Sequence, residues 1–253
     1  MTPRLRLILA GLGMLVLLPG IVAVVVHMPT FGDHPLPYGD AINHAAVSER
    51  HVTNMVTAVN FDYRGLDTLG EEYMLVGAVT GVIVLLRGRR GESVSDAPGR
   101  IPGRKIPPRS DALILVCRFF APILLLFGIY VALHAQLTPG GGFQGGAIAG
   151  SGALLIYLGE GYRAWRRLIR SHLFDAVEAI GALSFVLAGA AGMLMGTSFL
   201  TNVLPLGETR ALLSGGLILV VNAGVFLAVA GGFVLLLIEF LEETRAAEPE
   251  DQQ

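Results

Sequence analysis

The sequence has a single cysteine and few charged residues, which make up 15% of its 253 residues. One cysteine, Cys117, cannot form an intramolecular disulfide or a multi-cysteine metal site, and its apolar neighbours predict a core position. No HExxH, GxSxG or P-loop pattern occurs, and the glycine-rich segment 138–146 follows no predicted strand, so it is not a Rossmann fingerprint. The spacing of His27, His34 and His44 matches no usual metal site. We therefore predict no enzymatic activity, no cofactor and no metal site.

Apolar residues are abundant, at 53% of the total, and they form long runs. About 20 such residues make a helix that crosses a bilayer, because a helix satisfies its own backbone hydrogen bonds there. Six runs fit: 5–26, 73–86, 113–133, 143–158, 173–195 and 211–240. The predicted fold is all-α, a polytopic membrane helix bundle with about six transmembrane helices plus one short or re-entrant helix.

A seventh segment, 45–61, mixes apolar residues with Arg50, Asn54 and Asn60. We favour a partial helix that returns to the outer side. A full crossing is the alternative, and it would move the residues that follow to the cytoplasmic side. The first run follows two arginines like a secretory signal peptide, but its apolar stretch is longer than usual and no small-residue cleavage site follows.

Basic residues cluster before the first run, after the second and after the fourth. The positive-inside rule places all three clusters in the cytoplasm, which predicts a multi-pass protein of the cell inner membrane with both termini cytoplasmic. The middle cluster lies in a basic linker rich in proline and glycine, 88–110. This linker separates a first membrane region, 1–87, from a four-helix membrane domain, 111–241. An acidic tail, 242–253, ends the chain.

The third basic cluster surrounds Trp165. In a membrane protein such a cluster meets anionic lipid headgroups, and tryptophan is enriched at the interface. We therefore predict lipid contact with Trp165 as an interfacial anchor, and no nucleic-acid binding.

The segment FDYRGLDTLGEE, 61–72, concentrates charge between apolar segments. Its ionisable residues are Asp62, Arg64, Asp67, Glu71 and Glu72. An ionisable group at bilayer depth costs about 2.5 to 3.5 kcal/mol on insertion scales. The cluster therefore indicates ion handling or a buried pairing network, and an ordinary polar loop is the alternative.

The segment TPGGGFQGG, 138–146, predicts a tight turn or unwound stretch that leads into the fourth run. The glycines within and after it suit close helix packing. They are Gly142, Gly145, Gly146, Gly150 and Gly152.

The ionisable residues of the second half at membrane depth are Arg118 and Glu178, with Asp175, His134 and Glu160 near helix ends. Asp175 and Glu178 are three residues apart and share a helix face. A charge pair between Arg118 and this face is the structural interpretation. The functional interpretation makes one carboxylate part of a proton or sodium path.

Two stretches resemble known families. Residues 52–86, VTNMVTAVNFDYRGLDTLGEEYMLVGAVTGVIVLL, resemble the E-type subunits of membrane-bound hydrogenases, a segment also found at the C-terminal end of the large A-type subunits of Mrp antiporters. Residues 137–161, LTPGGGFQGGAIAGSGALLIYLGEG, resemble the MnhB/MrpB subunits of multisubunit sodium/proton antiporters. The resemblance implies an accessory subunit that handles Na⁺ and/or H⁺ and whose partners are other membrane subunits, including antiporter-like ones. By this resemblance, the antiporter-like partners carry proton channels built from lysine and glutamate. The only lysine of this chain, Lys105, lies in the linker, so the chain itself lacks such a channel.

By this resemblance, particular residues match family motifs. The acidic motif beside the proposed cation route is matched by Asp62, Arg64, Asp67 and Glu71. The MnhB/MrpB signature is matched by Pro139, Gly140, Gly141, Gly142 and Phe143. Gln144 departs from the apolar residue of many family members.

Two functional hypotheses follow. In the first, the acidic residues and Glu178 contribute to a cation or proton path at a subunit interface. In the second, the chain is a structural scaffold subunit of a membrane-bound hydrogenase or complex I-related assembly, and its acidic residues pair with Arg64 to hold helices in register.

Overall fold

The structure is a computed structural model that describes residues 3–28, 37–91 and 109–246. Most of the predicted linker, the end of the acidic tail and His34 lie outside the described residues. The chain forms two compact units, Met1–Ala41 and Ile42–Gln253. The first unit contains α1 (Pro3–Val26), and the second contains the helices that pack around the acidic motif.

The described residues form helices and no β-strand. After α1 come α2 (Pro37–Arg50), α3 (Met55–Ala58), a π-helix (Val59–Tyr63), α4 (Gly65–Gly91), α5 (Asp111–Leu133), α6 (Gly142–Leu168), α7 (Ser171–Leu194) and α8 (Leu217–Ala246). Within this part of the chain, four helices are long and apolar enough to cross a membrane, namely α4, α5, α7 and α8. The predicted all-α, multi-pass architecture is confirmed.

All six predicted apolar runs coincide with long helices, but two of their starting points are wrong. α4 begins at Gly65 rather than at residue 73, so residues 65–72 of the acidic motif belong to this helix. α8 begins at Leu217 rather than at residue 211, because Gly215 and Gly216 have φ values of 85° and 56°. This left-handed backbone does not continue a right-handed helix. Membrane crossing by α1 and α6 stays a prediction.

The ambiguous segment is divided into short helical pieces. α2 ends at Arg50 and α3 begins at Met55. Between them, Asn54 accepts a hydrogen bond from Val56 N–H at 3.1 Å and donates to the Ala135 carbonyl at 2.8 Å. The segment is thereby tied to the loop between α5 and α6. This agrees with the predicted short helix, and the side of the membrane on which it lies stays a prediction.

Glycines bring the helices of the second unit into close contact. α6 packs against both α5 and α8. A Cβ atom added at Gly145 would lie 3.0 Å from the Ala132 Cβ of α5, and one at Gly146 would lie 2.8 Å from the Val229 Cβ of α8. The other three predicted packing glycines are similarly tight, namely Gly142, Gly150 and Gly152. Their role in close helix packing is confirmed.

Gly181→Ala is expected to destabilise the second unit by about 2 kcal/mol through overpacking between α7 and α8. A Cβ atom at Gly181 would lie 2.6 Å from the Gly224 carbonyl oxygen and 2.9 Å from the Ala228 Cα. Both are backbone atoms and cannot rotate away. The free energy of unfolding in detergent measures the effect. Gly77→Ala is the matched control, because a Cβ atom there meets nothing within 4 Å. Equal stability of the two variants would contradict the close approach.

Two further core predictions have different outcomes. Cys117 is buried, as predicted. Trp165 is fully buried, so the prediction of an interfacial anchor is wrong. The reason is a break in α6 at Gly161, where φ is 80°. Beyond this break, the Trp165 indole N–H donates to the Ala153 carbonyl at 2.8 Å, which holds the ring inside the bundle.

Candidate functional site

The acidic motif spans the junction between the π-helix and α4. Phe61, Asp62 and Tyr63 belong to the π-helix, and Arg64 leaves helical geometry with φ −130° and ψ 34°. The Thr68 hydroxyl, in the first turns of α4, donates to the Asn60 carbonyl at 2.6 Å. The helical backbone is therefore interrupted within the motif, and the charged side chains on the two sides of the break differ in exposure. The alternative of an ordinary polar loop is wrong, because the motif is mostly helical.

Asp62 lies at the centre of a largely buried polar network. Its side chain is 9% exposed, and Oδ1 accepts a hydrogen bond from Arg50 Nε at 2.6 Å. Its Oδ2 accepts from the Asn202 amide at 3.1 Å. Asn202 also donates to the Gly215 carbonyl at 2.9 Å and accepts the N–H of Leu217, the first residue of α8, at 2.8 Å. One carboxylate thus joins the end of α2, the π-helix and the start of α8.

The charges around Asp62 continue on the π-helix and α2. Arg50 lies over the Tyr63 ring, 5.0 Å from its centroid, and the Tyr63 hydroxyl donates to Glu49 Oε2 at 2.8 Å. Burial opposes the charge of Arg50, but the hydrogen bond and charge of Asp62 outweigh it and raise the guanidinium pKa. Burial and the bond to Glu49 raise the pKa of Tyr63 to about 12. Arg50 is therefore charged and Tyr63 neutral at ordinary pH.

The other predicted motif residues lie on the surface. Arg64 pairs with Asp67, and the two side chains are 60% and 53% exposed. Glu71 is exposed one turn further along α4. The expectation that the acidic residues share Arg64 is therefore correct only for Asp67, since Asp62 pairs with Arg50. An exposed pair contributes about 0 to 1 kcal/mol, so this surface has little structural role within the chain.

Glu72 is the functional candidate that sequence reasoning left out of the site. Its side chain is fully buried, and neither carboxylate oxygen has a hydrogen-bond partner among the described residues. It shares the buried face of α4 with Thr68 and Val79. That helical spacing is the signal in the sequence that identifies it.

Glu178 was predicted as a site residue and as a member of a pair with Arg118. It is 7% exposed, and its Oε1 has no partner among the described residues. Arg118 instead forms a two-point ion pair with Glu160 of α6, so the predicted pairing is wrong. Arg118 lies on α5, which packs mainly against α6, whereas α7 packs against α8. The carboxylate within reach of Arg118 is therefore the one on α6.

The glycine-rich signature forms the predicted turn before α6. The chain turns from His134 to Pro139, and α6 begins at Gly142. The Gly142 N–H donates to Asn222 Oδ1 of α8 at 2.6 Å, and the Asn222 amide donates to the Ala132 carbonyl of α5. The signature residues thus connect three helices. Gln144, the departure from the family pattern, is exposed.

A cleft of about 580 Å³ lies beside Asp62. Its lining includes Arg50, Asp62, Tyr63 and Arg64, together with residues 198–202. The described part of the chain contains no group of three or more side chains arranged to hold a metal ion. The cleft therefore brings two arginines and one carboxylate close together.

Asn202→Ala is expected to destabilise the second unit by about 1 kcal/mol, because α8 loses the acceptor for its first N–H. The variant also removes the amide that donates to Asp62 and to the Gly215 carbonyl. Asn202→Asp keeps the acceptor oxygen for the Leu217 N–H but places a second carboxylate beside Asp62. It therefore separates the cap of α8 from the hydrogen bond to Asp62. Thermal unfolding of the purified protein measures both variants. An unchanged transition in both would contradict the assigned network.

The second half of the chain matches one family. The family described as "Domain related to MnhB subunit of Na+/H+ antiporter" matches residues 112–235. The B-type subunit of the Na⁺/H⁺ antiporter of Alkalihalophilus pseudofirmus is 31% identical over 127 residues, which cover 48% of this chain and 85% of the relative.

Two solved structures resemble nearly the whole chain. One is a chain of the membrane-bound sulfane sulfur reductase, an archaeal respiratory membrane complex, with a TM-score of 0.71 and 30% identity. That match covers 94% of this chain and 98% of the other. The second is a chain of the Mrp complex from Dietzia sp. DQ12-45-1b, with a TM-score of 0.71 and 28% identity. It covers 94% of this chain but 26% of the Mrp chain.

Proposed function

Because the chain belongs to the family related to the MnhB subunit of Na⁺/H⁺ antiporters, we propose that it is an accessory subunit of a multisubunit Mrp-type cation/proton antiporter. The similarity to a chain of an Mrp complex supports this proposal most strongly, because it extends over 94% of the sequence. The chain corresponds to about a quarter of that Mrp chain. We infer that other membrane subunits, including antiporter-like ones, supply the rest of the transport machinery.

A scaffold subunit of a redox-linked membrane complex is the second candidate. The similarity to the sulfane sulfur reductase chain favours it, since the match covers 98% of that chain. In this alternative, the protein belongs to a membrane-bound hydrogenase or complex I-related assembly and holds neighbouring subunits together. The redox groups would be bound by the partner chains.

The distribution of arginine supports an orientation in the membrane. With both termini in the cytoplasm, the three basic clusters of the sequence lie on the cytoplasmic side of the cell inner membrane. Anionic lipid headgroups would meet these clusters. The acidic motif then lies toward the outer side.

The exposed part of the motif is the proposed contribution to ion movement. Asp67 and Glu71 lie on the first turns of α4, where a neighbouring subunit has access to them. Carboxylates at an interface between membrane subunits suit the passage of Na⁺ or H⁺. Asp62 is held by Arg50 and Asn202, so its contribution is to position the motif.

Gentle detergent purification through a C-terminal tag, followed by mass spectrometry, tests the proposed function. Recovery of antiporter-like subunits without redox subunits is the expected result. Added iron–sulfur or hydrogenase-type subunits would favour the second candidate. A chain that purifies alone from membranes of its own organism would overturn both.

A further inference from the structure

Two carboxylic acids in the second unit are enclosed and have carboxylate oxygens without a hydrogen-bond partner among the described residues. Glu72 of α4 is 0% exposed, and neither of its carboxylate oxygens has a hydrogen-bond partner among the described residues. Glu178 of α7 is 7% exposed, and its Oε1 has none. A buried carboxylate without a partner is costly when ionised, so it persists where it carries a proton or exchanges one with water.

The two acids share one helix interface. Glu72 and Val79 lie on the buried face of α4, two turns apart. Val79 and Glu178 both lie against Gly232 of α8. A Cβ atom added at Gly232 would lie 3.1 Å from Val79 Cγ2 and 2.8 Å from Glu178 Oε1. Gly232 therefore leaves room for the Glu178 carboxylate where α4, α7 and α8 meet.

The direction of the helices shows how the acids are ordered. Leu69 of α4 packs with the cluster that contains Val221 of α8, and Ile83 packs with the cluster that contains Ile238. α4 and α8 therefore run parallel. Glu72 lies about 10 Å nearer than Val79 to the beginning of α8.

Acidic groups also stand at both ends of this interface. Asp62 is bonded to Asn202, which holds the first residue of α8. At the other end lie Asp175, one turn before Glu178 on α7, and the buried Glu239 of α8. Residues 217 and 239 are about 33 Å apart along a helix, close to the thickness of a bilayer core.

Few other titratable groups face this interface in the part of the chain that is described. Tyr73 of α4 donates to the Ala182 carbonyl of α7 at 3.4 Å. Glu160 of α6 is paired with Arg118 on the other side of the bundle. Asp175 and Glu239 each have an interaction partner. Glu72 and Glu178 are therefore the two acidic residues inside the interface. Asp62 lies at one end of it, and Asp175 and Glu239 lie at the other.

We infer that Glu72 and Glu178 form an internal proton relay between α4, α7 and α8. This inference rests on the proposed role in an ion-translocating complex and assigns H⁺, rather than Na⁺, to the interior of this subunit. A carboxyl O–H on one acid releases its proton to an intervening water molecule, and that water passes a proton to the carboxylate of the next acid. No electrons move, and each acid regains its proton from the preceding water.

Infrared difference spectroscopy of the purified complex tests the relay directly. A protonated carboxylic acid has a C=O stretching band that shifts in D2O and disappears on ionisation. We expect two such bands to change when the wild-type complex is titrated with pH. Glu72→Gln removes one of these bands, and Glu178→Gln removes the other. Glu208→Gln, an exposed position on the loop before α8, is the matched control and keeps both bands. Absence of any band that depends on Glu72 or Glu178 would overturn the inference.

Antiport by membrane vesicles gives the functional readout. Glu72→Gln and Glu178→Gln are expected to abolish proton-coupled cation exchange, whereas Glu208→Gln retains it. Gly232→Ala provides a variant that keeps both acids, because its methyl group displaces the Glu178 carboxylate, and it is expected to shift the Glu178 band and slow exchange. Full exchange in both Gln variants, within a complex that still contains antiporter-like subunits, would overturn the relay and leave the proposed function standing. Loss of those subunits from the wild-type preparation would instead overturn the proposed function.

Discussion

Asp62→Asn is expected to destabilise the protein by about 3 kcal/mol and to deplete it from the assembled complex. The substitution leaves Arg50 without its partner in a site where Asp62 is 9% exposed and Arg50 is 31% exposed. Breaking a buried ion pair by removing one member costs about 3 to 5 kcal/mol, and the partial exposure of Arg50 places the effect at the lower end. The altered amide also disturbs the contact with Asn202 at the start of α8.

The comparison with Asp67→Asn separates this effect from a general loss of acidic charge. Asp67 belongs to the same motif, but its pair with Arg64 is exposed and contributes about 0 to 1 kcal/mol. Thermal unfolding and the yield of complex are measured for both variants. If Asp62→Asn unfolds at the same temperature as Asp67→Asn, the Arg50–Asp62 pair does not hold the motif in place.

Glu71→Gln is expected to abolish antiport while the complex still assembles. Glu71 is exposed on α4, in contrast to the buried Glu72 beside it. An exposed carboxylate contributes little to the stability of its own chain. Removing its charge therefore affects the interaction with an ion or with a neighbouring subunit. Cation-dependent proton movement in membrane vesicles measures the activity, and co-purification of the partner subunits measures assembly.

Glu71→Asp is the matched variant, because it keeps a carboxylate at the same position with a shorter side chain. Partial activity in Glu71→Asp and none in Glu71→Gln would support a role for the charge itself. Full activity in Glu71→Gln would remove Glu71 from the proposed path. Loss of the complex in both variants would show that Glu71 holds a subunit interface instead.

The different positions of neighbouring acids explain why one motif supports both functional hypotheses. Asp62 is bonded to Arg50 and Asn202, as a scaffold residue would be. Asp67 and Glu71 face outward, as residues at a subunit interface would. The two variants Asp62→Asn and Glu71→Gln therefore test the structural and the transport role at separate positions.

Helix content and family were accessible from the sequence because their signals are local. Apolar runs of about 20 residues predict helices on their own, and all six coincide with long helices. The glycine-rich signature also predicts its own turn, since proline is disfavoured inside a helix and the glycines allow the next helix to pack closely. The errors are at starting points such as Leu217, where the positive φ angles of Gly215 and Gly216 keep an apolar stretch out of the helix.

The sequence by itself determined that this chain is an all-α membrane protein of the MnhB-related family with charge concentrated at 61–72. Only the tertiary structure decided which charges are paired, exposed or enclosed. Arg118 pairs with Glu160 rather than with α7, Asp62 pairs with Arg50 rather than with Arg64, and Glu72 is buried. The physical reason is that apolar length and turn chemistry act within a segment, whereas the surroundings of a carboxylate depend on which helix face meets which neighbour.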